Sequence, residues 1–312
     1  MKPEQRAPSV FHVKQDQRAP NVCDYEGSDY RQRFWTRERR YEDLAERQGL
    51  RRLLPPEGEA VADLGAGFGR LIELYQGYRR IFLVDYSRTL LQQARQEHLG
   101  DDRFTYIASD IRRLPLASDA FDTVLTVRVL HHLRDVPDAI AEAARVLVAG
   151  GHYLLEFANK RHLKAIVRYL LHRQGWNPFD KQPVEFAELN FDFHPAYIGH
   201  HLVEAGLRPE RRLALSLFRL QLLKQGLGPR RLAGLETLAQ PLASLYPLSP
   251  SVLLCSRADK PQRPRPGYFL ACPYCHARIE MERQRAVCRA CRLHWPEHNG
   301  IYDFKGPGQE LY

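Results

Sequence analysis

The chain has 312 residues, 44% hydrophobic and 27% charged, a composition that supports a sizeable core and excludes a disordered or fibrous protein. At about 150 residues per domain, one large domain and a smaller unit fit. Nowhere do about 18 apolar residues follow one another, and the start MKPEQRAPSV lacks the apolar stretch of a signal peptide; we expect a cytoplasmic protein with no membrane insertion. The net charge of +9 is uneven, with 11 basic and 15 acidic side chains over 57–159 but 13 and 6 over 160–235. Such a basic flank suits a polyanionic partner or a solvated surface.

In chain order, residues 1–24 mix Pro, Gln and charges without periodicity and read as a flexible leader. A helical cap is expected over 25–56, with Phe34, Tyr41, Leu44 and Leu50 as its apolar stripe and Pro55–Pro56 as its stop. Strands at 60–64, 81–85, 104–108, 121–127 and 151–157 then alternate with helices at 68–77, 87–98 and 136–147. That alternation predicts an α/β fold, a doubly wound, mostly parallel sheet over a core of 57–159, with its ligand crevice at the carboxyl ends of the strands. Residues 160–259 follow as a helical insertion at 160–174, an aromatic loop at 176–193 and a helix at 195–206. Two apolar runs, 212–218 and 251–256, are expected to pair and complete a seven-stranded sheet. The proline-rich stretch 260–267 reads as a linker to a separate module at 268–312.

The run Val61-Ala-Asp63-Leu-Gly65-Ala-Gly67-Phe-Gly69-Arg70 is a strand entering a glycine-rich turn, where a ligand can lie directly on the backbone. Its GxGxG spacing differs from the GxGxxG of dinucleotide folds. Asp63, just before the first glycine, would repel a pyrophosphate and suits a cationic amine. Asp85, 22 residues on, ends the next strand, where a carboxylate accepts from ribose hydroxyls. Asp110 ends the third strand, placed to accept from an adenine amine, with Ile111 against the ring. An amine, a ribose and an adenine on one sheet edge describe S-adenosylmethionine.

On these residues the chain resembles the class I S-adenosylmethionine-dependent methyltransferases, whose fold is Rossmann-like: DLGAGFG is the first motif, LVDYS (83–87) the second, SDIRRLPLASDAFD (109–122) the adenine strand and TVRVLHHLRD (126–135) the fourth. The resemblance implies cofactor contacts from Asp63, Gly65, Gly67, Gly69, Asp85, Tyr86, Asp110, Ile111 and the backbone near Val127. His131 and His132 follow the fourth strand and are candidate bases, or a packing element. Tyr30, Trp35 and Tyr41 are candidates for an aromatic lid or for packing of the helical cap on the sheet. Trp176, Phe179, Phe186, Phe191 and Phe193, interleaved with Arg, are expected to build the acceptor pocket. The acceptor is a small molecule or an RNA (tRNA or rRNA). A methyltransferase fold without turnover, acting as a binding scaffold, is the reading from another class.

Cys272-Pro-Tyr-Cys275 and Cys288-Arg-Ala-Cys291, 12 residues apart, have the spacing of two zinc knuckles, and a structural Zn2+ held by four thiolates is expected. Paired disulfides and a redox CxxC are the rivals. Arg283, Arg285, Arg289 and Arg292 meet phosphates if the module touches RNA, or solvent if it does not. His276, His294 and His298 are expected to face solvent. The module resembles the small zinc-ribbon subunits that activate methyltransferases, with Asn299 where that family carries Asp, which implies that it packs on the catalytic domain in cis.

Overall fold

The computed structural model describes residues 25–28, 35, 39–219 and 221–311, with only the backbone of Gln221, Leu222 and Gln225. The expected leader, Cys23, Tyr30, Phe34 and Arg37 lie outside the described residues.

Helix α1 (Arg40–Leu53) carries Glu42 and Asp43 in its first turn and Arg51 and Arg52 in its last, charges that complement the helix dipole. Its inner face buries Tyr41, Ala45, Leu50 and Leu53. Strands β1 (Glu57–Leu64) and β2 (Gly77–Asp85) pair in parallel, followed by α2 (Arg88–Glu97), β3 (Phe104–Ala108), β4 (Phe121–Thr126), α3 (Val136–Val146) and β5 (Leu147–Ala158). Each strand ends in a run of buried residues, as a sheet covered on both faces requires. Next come α4 (Leu163–Leu170), the hairpin β6 (Val184–Ala187) and β7 (Asn190–Asp192), α5 (Pro195–Glu204), β8 (Leu207–Leu215), α6 (Gln221–Ala243) and β9 (Ser251–Ala258). The core sheet runs β3-β2-β1-β4-β5-β9-β8, with β9 antiparallel to both its neighbours.

Several expected elements differ. No long helix forms over 68–77. Gly65, Gly67 and Gly69 all have positive φ, a short 3-10 turn covers Ile72–Leu74, and β2 already begins at Gly77. The late strand is 207–215 rather than 212–218, because Gly206, at φ 73°, ends α5 and the strand starts at once. Its exposed Arg208, Glu210, Arg211 and Arg212 hide its apolar period. The aromatic loop contains the β6–β7 hairpin, and α6, broken at Gly228, was not expected. It packs on α1, where the Tyr41 hydroxyl donates to Glu236 and accepts from the Phe218 amide at 2.8 Å.

The C-terminal segment forms β10 (Glu280–Glu282), β11 (Arg285–Cys288), β12 (Leu293–His298), β13 (Ile301–Asp303) and β14 (Gln309–Glu310). The sheet therefore does not stop at seven strands. β13 lies parallel to β3, with Ile301 opposite Tyr106 and Asp303 opposite Ala108, and the Phe304 amide donates to the Ala108 carbonyl at 2.7 Å. A second seam joins Ala117 N to Phe269 O at 2.8 Å and Ala271 N to Pro115 O at 3.1 Å, with the Phe269 ring against Phe82 and Phe121. An open sheet edge exposes unpaired amides and carbonyls; here the same chain covers it.

Candidate functional site

The turn after β1 is tied to β2 by the Gly65 and Ala66 amides, which donate to the Val84 carbonyl at 2.7 and 3.1 Å. Asp85 then clasps the turn: one carboxylate oxygen accepts from the Gly67 amide at 2.7 Å and the other from the Ser87 amide at 2.8 Å. A side chain at Gly65 would meet Val129 at 2.1 Å, whereas one at Gly67 would find its nearest atom at 3.9 Å, pointing into open space. That open space belongs to a cleft.

Two clefts flank the turn and share Gly65, Gly67 and Arg128 as borders. The first, about 640 Å3 of unfilled space, is lined by Asp85, Tyr86, Asp110 and Ile111 together with Tyr25 and His132. The second, about 400 Å3, is lined by Asp63, Val127, Arg70, Arg128, Phe68 and Trp35. Of the nine expected cofactor residues, the structure brings eight to these clefts. Gly69 lines neither. A side chain there would meet Ile72 at 2.4 Å and Ala94 at 3.1 Å, so its place is close packing of the turn against α2.

Asp63 is buried at the end of β1 and accepts from the Tyr75 hydroxyl at 2.7 Å. Burial pushes its carboxyl up to about 6, against that hydrogen bond and the Arg70 charge. Across the second cleft, buried Glu46 bridges Arg70 and Arg128, the latter at 2.6 Å, and Arg70 also meets Asp43 at 2.6 Å. Burial opposes ionisation of Glu46, but the Arg128 and Arg70 guanidiniums outweigh it and hold the carboxyl low. The Trp35 ring lies under both cations, 4.2 Å from Arg70 and 5.3 Å from Arg128. Arg128 itself has φ 60°, and its amide donates to buried Glu156 at 3.1 Å.

Asp110 sits at the first cleft but is gripped by Arg112, which donates to both its oxygens, the shorter contact being 2.6 Å. His132 is fixed as a tautomer. Its Nδ1 is 3.1 Å from the Leu189 carbonyl, which only accepts, so Nε2 is left to accept from the Tyr25 hydroxyl at 3.2 Å. Burial lowers its pKa, and burial lowers that of His131 further. The His131 Nδ1 is buried without a hydrogen-bond partner.

Of the expected lid, Trp35 borders the second cleft, but Tyr41 faces inward between α1 and α6. Tyr25, not expected there, takes a place at the first cleft, and its neighbour Glu26 accepts from the Arg88 amide and the Thr89 hydroxyl at the start of α2. The acceptor aromatics do not converge: Phe191 and Phe193 are buried and stack towards Tyr197, whereas Phe179 and Phe186 are exposed. Sequence reasoning also missed Arg219, whose guanidinium donates to the Ser216 and Ser251 hydroxyls at the ends of β8 and β9, and Arg128, whose partner Glu46 lies 82 positions away. No local signal marks either.

The four clustered cysteines converge. Their sulfurs all lie within 4.8 Å of one another, with Cys272–Cys291 at 3.9 Å and Cys275–Cys288 at 3.6 Å. A tetrahedral zinc with Zn–S of about 2.3 Å spaces its sulfurs about 3.8 Å apart, so the donor set fits that ion. Both turns repeat one design: Tyr274 N donates to Cys272 Sγ and Cys291 N to Cys288 Sγ, and the residues after each pair, His276 and Arg292, have positive φ. Burial pushes Cys272 up to about 12, and a bound cation would favour its thiolate form. His276 and His298 are exposed, but His294 is half-buried with Nδ1 lacking a partner. Arg285 and Arg289 are held by Glu282 and Glu280.

A mostly parallel sheet of this order, with a glycine turn after β1 and an acid closing β2, is a doubly wound, Rossmann-like fold with its ligand crevice at the carboxyl ends of the strands. Residues 62–155 match the family described as a methyltransferase domain. Among curated relatives, a demethylmenaquinone methyltransferase of Chlamydia trachomatis is 35% identical over 121 residues, 38% of this chain and 52% of that protein; the chain spans about half or less of the length of the curated relatives it matches. An S-adenosylmethionine-dependent methyltransferase structure from Listeria monocytogenes aligns with TM-score 0.53 and 17% identity, over 70% of this chain and 99% of that one. The complex of the Haloferax volcanii Trm112 methyltransferase activator with a methyltransferase aligns with TM-score 0.50 and 17% identity, over 71% and 92%. At those identities the likeness is one of fold.

Proposed function

We propose that the chain transfers a methyl group from S-adenosylmethionine to a small-molecule acceptor, and that residues 268–312 form a zinc ribbon that stabilises the sheet edge in cis. The observation that carries this reading is the pair of clefts on either side of one glycine turn, with Asp85, Asp110 and Ile111 bordering one and Asp63 the other. In this arrangement Asp63 takes the cofactor's ammonium, Asp85 accepts from the ribose hydroxyls while holding the turn, and Ile111 covers the adenine. Asp110 accepts from the adenine amine with whatever capacity Arg112 leaves it. Arg70 and Arg128 offer donors to the methionine carboxylate.

When bound, S-adenosylmethionine supplies a methyl group on an electrophilic sulfonium, and the leaving thioether needs no proton. The protein's contribution is then positioning and water exclusion: Tyr25, oriented by His132, borders the adenosine side and Trp35 the methionine side. His132, which lines the first cleft, is the candidate base for an acceptor that must lose a proton, with His131 buried beside it. Four thiolates from Cys272, Cys275, Cys288 and Cys291 hold the zinc, which supplies folding energy to a module too small for a large core.

An RNA acceptor at the ribbon needs its cations free for phosphates, and Arg285 and Arg289 are instead paired with Glu282 and Glu280. Incubating the protein with labelled S-adenosylmethionine and cell extract tests the proposal. Label in an organic-soluble fraction supports it, label in a nuclease-sensitive fraction replaces it with the RNA reading, and label in neither leaves a binding scaffold.

A further inference from the structure

Helix α4 exposes Leu163, Val167 and Leu170, with Leu171 just beyond its end. Positions spaced by four and three lie on one helix face, so these residues form a single apolar stripe, with Leu170 64% exposed. A longer stripe runs along α6. Leu235, Leu238, Leu242, Leu245, Tyr246 and Leu248 are all exposed, Leu238 at 79% and Leu242 at 77%. From Gly234 to Leu248 the sole charged residue is Glu236, which is buried.

The two stripes adjoin. The Leu163 amide at the start of α4 donates to the Leu248 carbonyl at 2.8 Å, the Asn159 side chain donates to the Pro247 and Ser249 carbonyls, and Arg212 holds the Ser244 and Leu245 carbonyls. The apolar surface is thus fixed in shape. Scattered exposed leucines are ordinary, but a contiguous patch marks a contact surface.

The charges around it say what it contacts. Arg161, Lys164, Arg168 and Arg173 lie on or beside α4, and among the described residues none of them forms an ion pair. Other arginines, such as Arg47, Arg103, Arg112 and Arg145, are held in ion pairs with neighbouring acids. Unpaired cations beside an apolar helical stripe are the pattern of a helix lying in the plane of a membrane surface, apolar face down and basic flank towards anionic headgroups. A second copy of the chain is the poorer occupant, because a two-fold contact through this patch would set the same cations against each other.

We propose that α4 and the second half of α6 form a peripheral docking surface for an anionic lipid bilayer. The protein lies on the bilayer rather than crossing it, in keeping with the lack, among the described residues, of any helix long and apolar enough to span. The surface belongs to the 160–259 region that follows β5, and docking would bring that side of the molecule to lipid.

Sedimentation of the full-length, zinc-loaded protein with vesicles of phosphatidylcholine containing phosphatidylglycerol, and with vesicles of phosphatidylcholine alone, tests this without S-adenosylmethionine, so its failure leaves the methyltransferase reading intact. The protein is expected to pellet with the anionic vesicles at least tenfold more strongly, and added salt is expected to weaken the binding. The double variant Leu238→Ser/Leu242→Ser should lose more than tenfold. A second pair, Lys164→Gln/Arg168→Gln, should lose the preference for the anionic vesicles, with near-ultraviolet circular dichroism and melting reporting that each variant remains folded. Absence of vesicle binding, with or without a dimer by light scattering, overturns the proposal, as does binding that both folded variants retain.

Discussion

Asp85→Ala removes a carboxylate that holds two backbone amides of the cofactor turn, Gly67 at 2.7 Å and Ser87 at 2.8 Å. Hydrogen bonds to a charged acceptor contribute about 1.5 to 3 kcal/mol each. Because Asp85 is half-buried, the lower end applies, and the two bonds together amount to about 3 kcal/mol of turn stability. With Asp85 accepting from the ribose as proposed, its loss is expected to weaken S-adenosylmethionine binding by about 1 to 3 kcal/mol more, a rise in Kd of about 5- to 150-fold. Calorimetric titration measures the second effect and thermal unfolding the first, with a drop of several degrees expected. Asp85→Asn should fall between, since an asparagine accepts from one amide and presents its own NH2 to the other. A variant that melts lower but binds with unchanged Kd would refute the ribose assignment while keeping the clasp; one that melts as the parent does would refute the clasp.

Asp63 gives a pH signature. Burial raises its folded pKa to about 6, above the unfolded value of about 3.9, so in the free protein stability should fall as pH rises through that interval. An ammonium beside it favours the ionised form, so S-adenosylmethionine should bind more tightly as pH rises towards about 6 and should release a proton on binding near that value; Asp63→Asn should flatten the profile between about pH 5 and 7. Affinity that does not change with pH in the parent would exclude the amine role. For the cysteine cluster, one zinc per chain is expected by elemental analysis, and Cys288→Ser or a strong chelator should release it and lower hydrogen-exchange protection after residue 267. Retention of a full zinc complement by that variant would contradict the four-thiolate site.

What could be read in advance divides by sequence separation. The strands of the core, the glycine turn with Asp63 and Asp85, and the CxxC pairs are encoded in short windows, because alternation, positive φ and metal-ligand spacing are local demands. Helix α6 was not legible: Gly226, Gly228, Pro229 and Pro241 erase its periodic signal, and it is held by tertiary contacts such as Tyr41 with Glu236. The same holds for the Glu46 bridge between Arg70 and Arg128, which joins a helix, a turn and the end of β4. Gly69 and Tyr41 lie away from the clefts, Gly69 against Ile72 and Ala94 and Tyr41 bonded to Glu236. The register of β13 against β3 had no herald either, since three residues, Ile301 to Asp303, carry no pattern.

The β3–β13 pairing also settles a matter of stoichiometry. A strand supplied by a second polypeptide must find such an edge by diffusion, whereas a tethered strand meets its own edge at an effective concentration of about millimolar. Lys305, two residues past β13, reaches Glu26 and sits 5.2 Å from the Tyr86 ring, so the segment that caps the edge also touches the border of the first cleft. With its row of amides already engaged by Ile301, Tyr302 and Asp303, β3 offers an external partner nothing to zip onto. Each molecule therefore caps its own sheet edge.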